Sequence, residues 1–223
     1  MSDMIIKFGI RAIVLLICIP FHESAHAWMA NKMGDSTAKN LGRISMNPAA
    51  HLDLMGALMM VLVGFGWGKP CPVNANNFKK PKLGFALTAL AGPLSNLLLS
   101  FIAVIIIKII YLVSALTDLV LLDSVITVLY YFMFINLGLA IFNLLPVPPL
   151  DGSRIITLFL KEEIYFKIMR YENIFFLILI ALSISGLLDA PLSAMESFAI
   201  KSMDFLTGWL DLILNAIYKA IIK

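Results

Sequence analysis

Charged residues are scarce in this sequence. They make up 14% of its 223 residues, whereas hydrophobic residues make up 61%, and the mean hydropathy is +0.93. A soluble domain of this length needs a polar shell to cover its core, and this composition does not provide one. We therefore exclude a soluble protein and expect a lipid bilayer to surround much of the surface.

The sequence also lacks the features that are typical of a nucleic-acid-binding protein, of a disulfide-stabilised domain and of a cleaved signal peptide. The basic residues are not clustered as in a nucleic-acid-binding surface, so nucleic acid is not an expected partner. Two cysteines, Cys18 and Cys71, are too few for a disulfide scaffold. No small-residue cleavage site follows the apolar run 12–20, so we do not expect a cleaved signal peptide. A single membrane-embedded domain over residues 1–223 is predicted instead.

Long apolar runs predict membrane helices, because a spanning helix needs about 20 mostly apolar residues. Such runs place helices at about residues 5–29, 83–113, 125–145 and 173–188. Residues 193–223 form a last helical stretch that could either span the membrane or lie at its interface. The predicted fold class is an all-α polytopic membrane protein with four to six transmembrane helices.

A polar segment, residues 31–82, separates the first two predicted helices. Within it, residues 41–46 are expected to form a short strand. The apolar run 54–66 is too short to span and suits a re-entrant or interfacial segment. A small β/re-entrant element is therefore predicted between the first two helices.

The distribution of Lys and Arg predicts a topology. The basic loops 31–82 and 152–172 should be cytoplasmic, whereas loops 114–124 and 189–196 lack Lys and Arg and should lie on the other side. Lys7 and Arg11 then fall on the outer side, against the same rule.

The first predicted helix contains ionisable residues. His22, Glu23 and His26 form an HExxH motif, which a lipid-facing helix would not tolerate and which therefore indicates a functional site. On a helix, positions i and i+4 share a face, and two imidazoles there can bind one zinc ion at about 2.0–2.1 Å. Glu23 adjoins the first histidine and can act as the general base that activates a water molecule.

A catalytic zinc ion needs a third protein ligand and one open position. The candidates are His51 and the acidic residues other than Glu23. Asp151 is distinctive because it follows the proline-rich segment 143–150, where a helix leaves the membrane and its backbone is freed from helical pairing. A carboxylate there can meet the first helix. Asp-Gly is also common in plain turns, so the residues alone leave both interpretations open.

Several segments resemble the site-2 protease family of intramembrane zinc metalloproteases. Besides HExxH, residues 143–152 read NLLPVPPLDG, and the resemblance covers roughly residues 20–155. The intervening segments NPAAHLD at 47–53, GWGKP at 66–70 and AGPLSN at 91–96 also resemble the family. Only residues 114–124 separate the second and third predicted helices, so the resemblance is to the short form without a PDZ-like insertion.

The resemblance implies a zinc metalloendopeptidase with one Zn²⁺ per chain. It implies that His22, His26 and Asp151 bind the zinc ion. It further implies that Glu23 is the general base, and that a membrane-spanning peptide or protein is the substrate, as in regulated intramembrane proteolysis. The expected location is the cell membrane, as a multi-pass protein with a catalytic core at about residues 5–155 and C-terminal helices at about 156–223.

Asn143 is a polar residue at the end of an apolar helix, eight positions before Asp151. We expect it to bind substrate, either through the substrate backbone or by polarising the scissile carbonyl as oxyanion donors do. An interhelical hydrogen bond is the alternative. Asn96 could act in a similar way and His51 could support the polar loop, and neither is assigned a role.

Two other functions stay open. A membrane metal transporter or metal-binding membrane protein could hold an ion with the same residues, although the matched broken helices of inverted repeats are not visible in the sequence. A non-catalytic membrane scaffold would make HExxH and the segment around Asp151 a coincidence. Loss of activity in a Glu23→Gln variant that retains zinc would separate the protease from both.

Overall fold

The computed structural model of the protein describes residues 2–63, 68–117 and 119–222. These residues form α1 (Ser2–Met33), α2 (Thr37–Asn40), α3 (Leu54–Val63), α4 (Pro81–Thr117), α5 (Val120–Asn143), α6 (Asp151–Ile155), α7 (Glu162–Met169), α8 (Glu172–Ile184) and α9 (Asp189–Ile222). Short 3₁₀ turns lie at Pro48–Ala50, Ala75–Asn77 and Ile156–Leu158.

Four of these helices are long and apolar enough to cross a membrane. The candidate spans are Phe8–Met33, Pro81–Thr117, Leu121–Asn143 and Asp189–Ile222. The prediction of an all-helical protein with several membrane helices is confirmed to this extent. The fourth span differs from the expected one: the run at 173–188 forms only the 13-residue helix α8, whereas the C-terminal stretch belongs to the 34-residue helix α9.

The predicted β/re-entrant element between the first two helices is not supported. Residues 41–46 form turns and a bend, because side chains occupy the backbone groups that a partner strand would need. Ser24 Oγ contacts both the carbonyl oxygen and the amide of Ser45, and His51 Nε2 lies 2.7 Å from the same carbonyl oxygen.

The apolar run after this loop is α3, which is rich in the good helix formers Leu, Met and Ala. Residues 64–66 of the run lie outside the described residues. The described part of the chain contains no strand, and its β pairing is limited to an isolated antiparallel bridge between Leu52 and Gly68.

Helices α1, α4 and α5 form the centre of the bundle. A buried apolar cluster joins α4 and α5 to α9, and it comprises Ala103, Val104, Ile107, Met133, Leu137, Ile141 and Met203. The N-terminal half of α4 instead buries small residues, among them Gly84, Ala86, Ala89, Ala91 and Gly92. Small residues let helix backbones approach closely in lipid, so α1 and α4 can bring polar side chains into contact there.

Helix α9 runs parallel to α4. Ser100 Oγ contacts the sulfur of Met203, and Lys108 Nζ lies 2.7 Å from Asp211 Oδ2, so residue numbers rise together along both helices. Residues 189–196 are thus the first turns of α9 rather than a loop, and they lie in the half of the bundle in which α4 begins. The topology predicted for this segment is not supported.

Candidate active site

Three predicted ligands come together near the C-terminal end of α1. His22 and His26 lie on one face of α1, and their Nε2 atoms are 3.0 Å apart. Asp151 is the first residue of α6, and its Oδ2 lies 3.2 Å from each of the two Nε2 atoms. All three side chains are buried, and they form the one group in the described part of the chain that could hold a metal ion.

The hydrogen bonds of the two histidines place a hydrogen on each Nδ1, so the neutral rings have a lone pair on each Nε2. His26 Nδ1 lies 2.7 Å from the carbonyl oxygen of Thr88, which can only accept, so Nδ1 carries the hydrogen. His22 Nδ1 lies 2.5 Å from Oδ1 of Asn96, which likewise accepts. The two Nε2 lone pairs therefore face Asp151 Oδ2, which has no hydrogen-bond donor among the described residues.

Three converging lone pairs repel one another unless a cation lies between them. Ligand atoms of a tetrahedral zinc site, each about 2.0–2.1 Å from the ion, are roughly 3.3 Å apart, and the observed spacing is close to that value. Two imidazoles and one carboxylate also form a donor set typical of catalytic zinc. The residues present thus fit a zinc ion.

Glu23 borders the same space without belonging to the ligand group. Its side chain is partly exposed and lines the cavity described below, while its Oε2 is buried with no hydrogen-bond partner among the described residues. Its Oε1 lies 3.6 Å from the point where a Cβ on Gly68 would be. A carboxylate in this position can receive a proton from a molecule in the cavity.

Two glycines allow close approaches of the backbone, Gly92 to the two ligand histidines and Gly152 to the backbone of Leu144. A Cβ at Gly92 would lie 2.3 Å from His26 Nε2, and a Cβ at Gly152 would lie 2.2 Å from the carbonyl oxygen of Leu144. Sequence reasoning missed the role of Gly92, because the pair Gly92-Pro93 suggests only a kink in α4. Both glycines lie in the segments that carry the family resemblance.

A cavity of about 1190 Å³ opens from the ligand cluster. It follows α5 from Thr127 to Asn143, a distance of roughly 24 Å at 1.5 Å per residue. Its lining is mainly apolar, with charged groups at intervals: Arg11, Arg154, Glu172, Asp189 and Glu196. The space is long enough for an extended peptide that reaches the ligand cluster.

The three remaining candidate residues, Asn143, Asn96 and His51, lie outside the ligand group. Asn143 lines the cavity, and its Nδ2 donates to the carbonyl oxygen of Leu139 on its own helix. Asn96 is fully buried behind His22 rather than facing the cavity. His51 is also buried and contacts the backbone of Ser45, outside the ligand group.

Asp35 follows the end of α1 and joins two parts of the polar segment 31–82 through hydrogen bonds. Its buried carboxylate accepts hydrogen bonds from the amide and hydroxyl of Thr37, from the amide of Asn74 and from Nδ2 of Asn77. Burial by itself would raise the pKa of Asp35, but these hydrogen bonds outweigh it and lower the pKa below its usual value. The two ends of the loop are thereby held together beside the site.

Cys71 lines the cavity close to Glu23. Burial and the nearby negative charge of Glu23 raise the pKa of this thiol to about 12. The thiol is therefore protonated at neutral pH, which agrees with a structural rather than a nucleophilic cysteine.

Fold and site together define a polytopic membrane protein with a His–His–Asp cluster and a neighbouring glutamate at one end of an internal cavity. The sequence model of the family described as "Peptidase family M50" matches residues 107–186, which include Asp151 but not the HExxH motif. No solved structure matches the chain significantly.

Relatives extend this match over most of the chain. The Bacillus subtilis (strain 168) protein named "Putative zinc metalloprotease YwhC" is 40% identical over 179 residues, which cover 78% of this chain and 80% of that protein. The Mycobacterium tuberculosis protein named "Putative zinc metalloprotease Rip2" is 26% identical over 156 residues, which cover 66% of this chain and 56% of that protein.

The chain belongs to peptidase family M50, the site-2 protease family. The family predicted from the motifs is confirmed, and so is the class of enzyme, a peptidase.

Proposed function

We propose that this peptidase is a zinc-dependent endopeptidase that cleaves membrane-spanning substrates. His22, His26 and Asp151 hold one zinc ion per chain, which when bound supplies Lewis acidity and lowers the pKa of water. The observation that carries the proposal is the convergence of three buried lone-pair atoms within 3.2 Å, at the end of a cavity.

Glu23 is the general base in this proposal. It accepts a proton from the attacking water and passes it to the nitrogen of the leaving amine. Two observations support the assignment: the carboxylate borders the cavity, and its buried oxygen has no hydrogen-bond partner among the described residues.

Asn143 binds the substrate in this proposal. Its Nδ2 carries two hydrogens, of which the carbonyl oxygen of Leu139 accepts one. The second can be donated to the scissile carbonyl as negative charge develops on its oxygen. Asn143 lines the same cavity as Glu23 and Asp151, which supports this role.

The substrate is a transmembrane segment that unwinds locally. Helical carbonyls are engaged in hydrogen bonds within the helix, so a peptide bond must leave the helix before water can attack it. The ligand cluster lies near the basic, cytoplasmic side, and we expect cleavage there in helices that contain helix-weakening residues. Replacing those residues by leucine should slow cleavage, and unchanged rates would contradict this mode of binding.

The cell membrane is the proposed location, and the whole chain, residues 1–223, is one protease domain. Membrane-bound signalling proteins or leftover signal peptides are the substrate types that fit such a domain. In either case the bond that is cut lies within the bilayer, which the four candidate spans and the buried site support.

The decisive experiment measures zinc content and proteolysis together on detergent-purified wild type and Glu23→Gln. The proposal expects about one zinc ion per chain in both proteins, and cleavage of helical transmembrane test peptides by wild type alone. Zinc in neither protein would contradict the ligand assignment. Zinc in both without cleavage of any peptide by wild type would favour a metal-binding or transport function instead.

A further inference from the structure

A chain of buried polar side chains leads from His22 into the centre of the bundle. His22 Nδ1 lies 2.5 Å from Asn96 Oδ1, and Asn96 Nδ2 lies 2.8 Å from Asn136 Oδ1. Asn136 Nδ2 in turn lies 2.8 Å from the carbonyl oxygen of Phe132 and 3.0 Å from Cys18 Sγ. Both asparagines are completely buried, one on α4 and one on α5.

The far end of this chain determines the direction of every hydrogen bond in it. The carbonyl oxygen of Phe132 can only accept, so Asn136 must present its amide nitrogen there and its oxygen to Asn96. Asn96 must then donate through its nitrogen, which leaves its oxygen for His22. His22 must therefore donate through Nδ1, which leaves the lone pair of the neutral ring on Nε2.

We propose that Asn96 and Asn136 are positioning residues that fix the ring orientation of His22 and keep its Nε2 lone pair directed at the metal site. This inference rests on the proposed function, because it takes His22 as a ligand. His26 is oriented differently, because its Nδ1 donates directly to a backbone carbonyl oxygen, that of Thr88.

If Asn96 only held α4 against α5, its loss should affect zinc binding no more than the loss of another hydrogen bond between the same helices. Ser100, one turn further along α4, also bonds across to α5, through the carbonyl oxygen of Met133, without touching a ligand. Ser100 is as buried as Asn96, so the two side chains make comparable helix-to-helix hydrogen bonds. Only Asn96 also holds a ligand, so only its loss should disturb metal binding.

The test compares zinc affinity, by competition with a chelator, and the visible absorption spectrum of the Co²⁺-substituted protein. Asn96→Leu should weaken zinc binding by about 10–100-fold, as expected when the hydrogen-bond partner of a ligating histidine is removed, and should alter the cobalt bands. Asn136→Leu should have a smaller effect in the same direction, since Asn96 remains but its orientation is no longer fixed.

Two further variants separate orientation from packing. Asn96→Asp keeps an oxygen for His22 Nδ1 but loses the donor to Asn136 Oδ1, so its zinc affinity should lie between those of wild type and Asn96→Leu. Ser100→Ala removes a buried hydrogen bond between the same helices and should leave both readouts unchanged.

Three outcomes would overturn the inference: wild-type zinc affinity and cobalt spectrum in Asn96→Leu, equal weakening by Asn96→Leu and Ser100→Ala, or an Asn96→Asp variant as weak as Asn96→Leu. Failure of the proposed function gives a different result, because His22→Ala would then bind zinc as wild type does.

Discussion

Gly92 is the position at which one added methyl group should disable the site. In Gly92→Ala the Cβ would lie 2.3 Å from His26 Nε2 and 2.7 Å from His22 Cε1. An ordinary contact needs about 3.4 Å or more, so α4 and the histidines must separate by roughly 1 Å. Misplacement of about 1 Å can cost on the order of 100-fold in rate, and overpacking a tight core costs about 1–3 kcal/mol.

The variant should therefore bind zinc weakly and lose most proteolysis while remaining folded. Zinc affinity, cleavage rate and thermal unfolding in detergent measure the three effects. Gly208→Ala on α9 is the matched control, because a Cβ there meets nothing within 4 Å and alanine favours helix. Full zinc affinity and activity in Gly92→Ala would refute the placement of α4 against the ligands.

Two other side chains outside the site give further predictions. Asp35→Asn should lower stability at pH 7 by about 1–3 kcal/mol, because an amide NH2 group, which cannot accept a hydrogen bond, replaces one of the two accepting oxygens. The pKa of Asp35 is lowered in the folded state, so its contribution is present above its ordinary pKa of about 4 and is lost as the pH falls through the folded value. Unfolding midpoints from pH 7 to pH 3 should accordingly converge for wild type and variant, and a constant gap would count against this account. Lys108→Met removes the partly buried cation that pairs with Asp204 and Asp211, and it should destabilise the attachment of α9 by about 1–3 kcal/mol. The loss is smaller than for a fully buried pair because both carboxylates are about half exposed. Limited proteolysis near residues 185–188 would detect this, and the same digestion of the exposed-site variant Lys201→Met should match wild type.

The parts of the site that local spacing determines could be predicted from the sequence. His22 and His26 are one helical turn apart, so their shared face follows from the geometry of any α-helix. The approach of Asp151 depends on packing between segments more than 120 residues apart. The proline-rich segment made Asp151 a candidate ligand, and the family resemblance decided between this role and a plain turn. The contact between Asn96 and Asn136 was not predictable, because no periodicity relates a residue on α4 to one on α5.

Two parts of the fold could not be predicted because they depend on contacts with residues that are distant in the sequence. Residues 41–46 contain β-compatible residues, but Ser24 from α1 binds the backbone of Ser45 and prevents strand pairing. For residues 193–223 the sequence left a span and an interfacial helix both open. The structure pairs two of the charges there, Asp204 and Asp211, with Lys108 on α4. Both outcomes depend on tertiary partners, which single-sequence patterns do not contain.

Metal binding and helix packing depend on the same atoms in this bundle. In lipid there is no hydrophobic driving force for the association of helices, so close packing and buried hydrogen bonds stabilise the bundle. At the contact of α1 with α4, those bonds are the ones from His26 to Thr88 and from His22 to Asn96, and both involve a proposed ligand. Without a cation, three lone pairs repel one another at this contact. A bound ion removes that repulsion and stabilises the folded bundle by mass action, so zinc is expected to strengthen the helix packing that forms its own site.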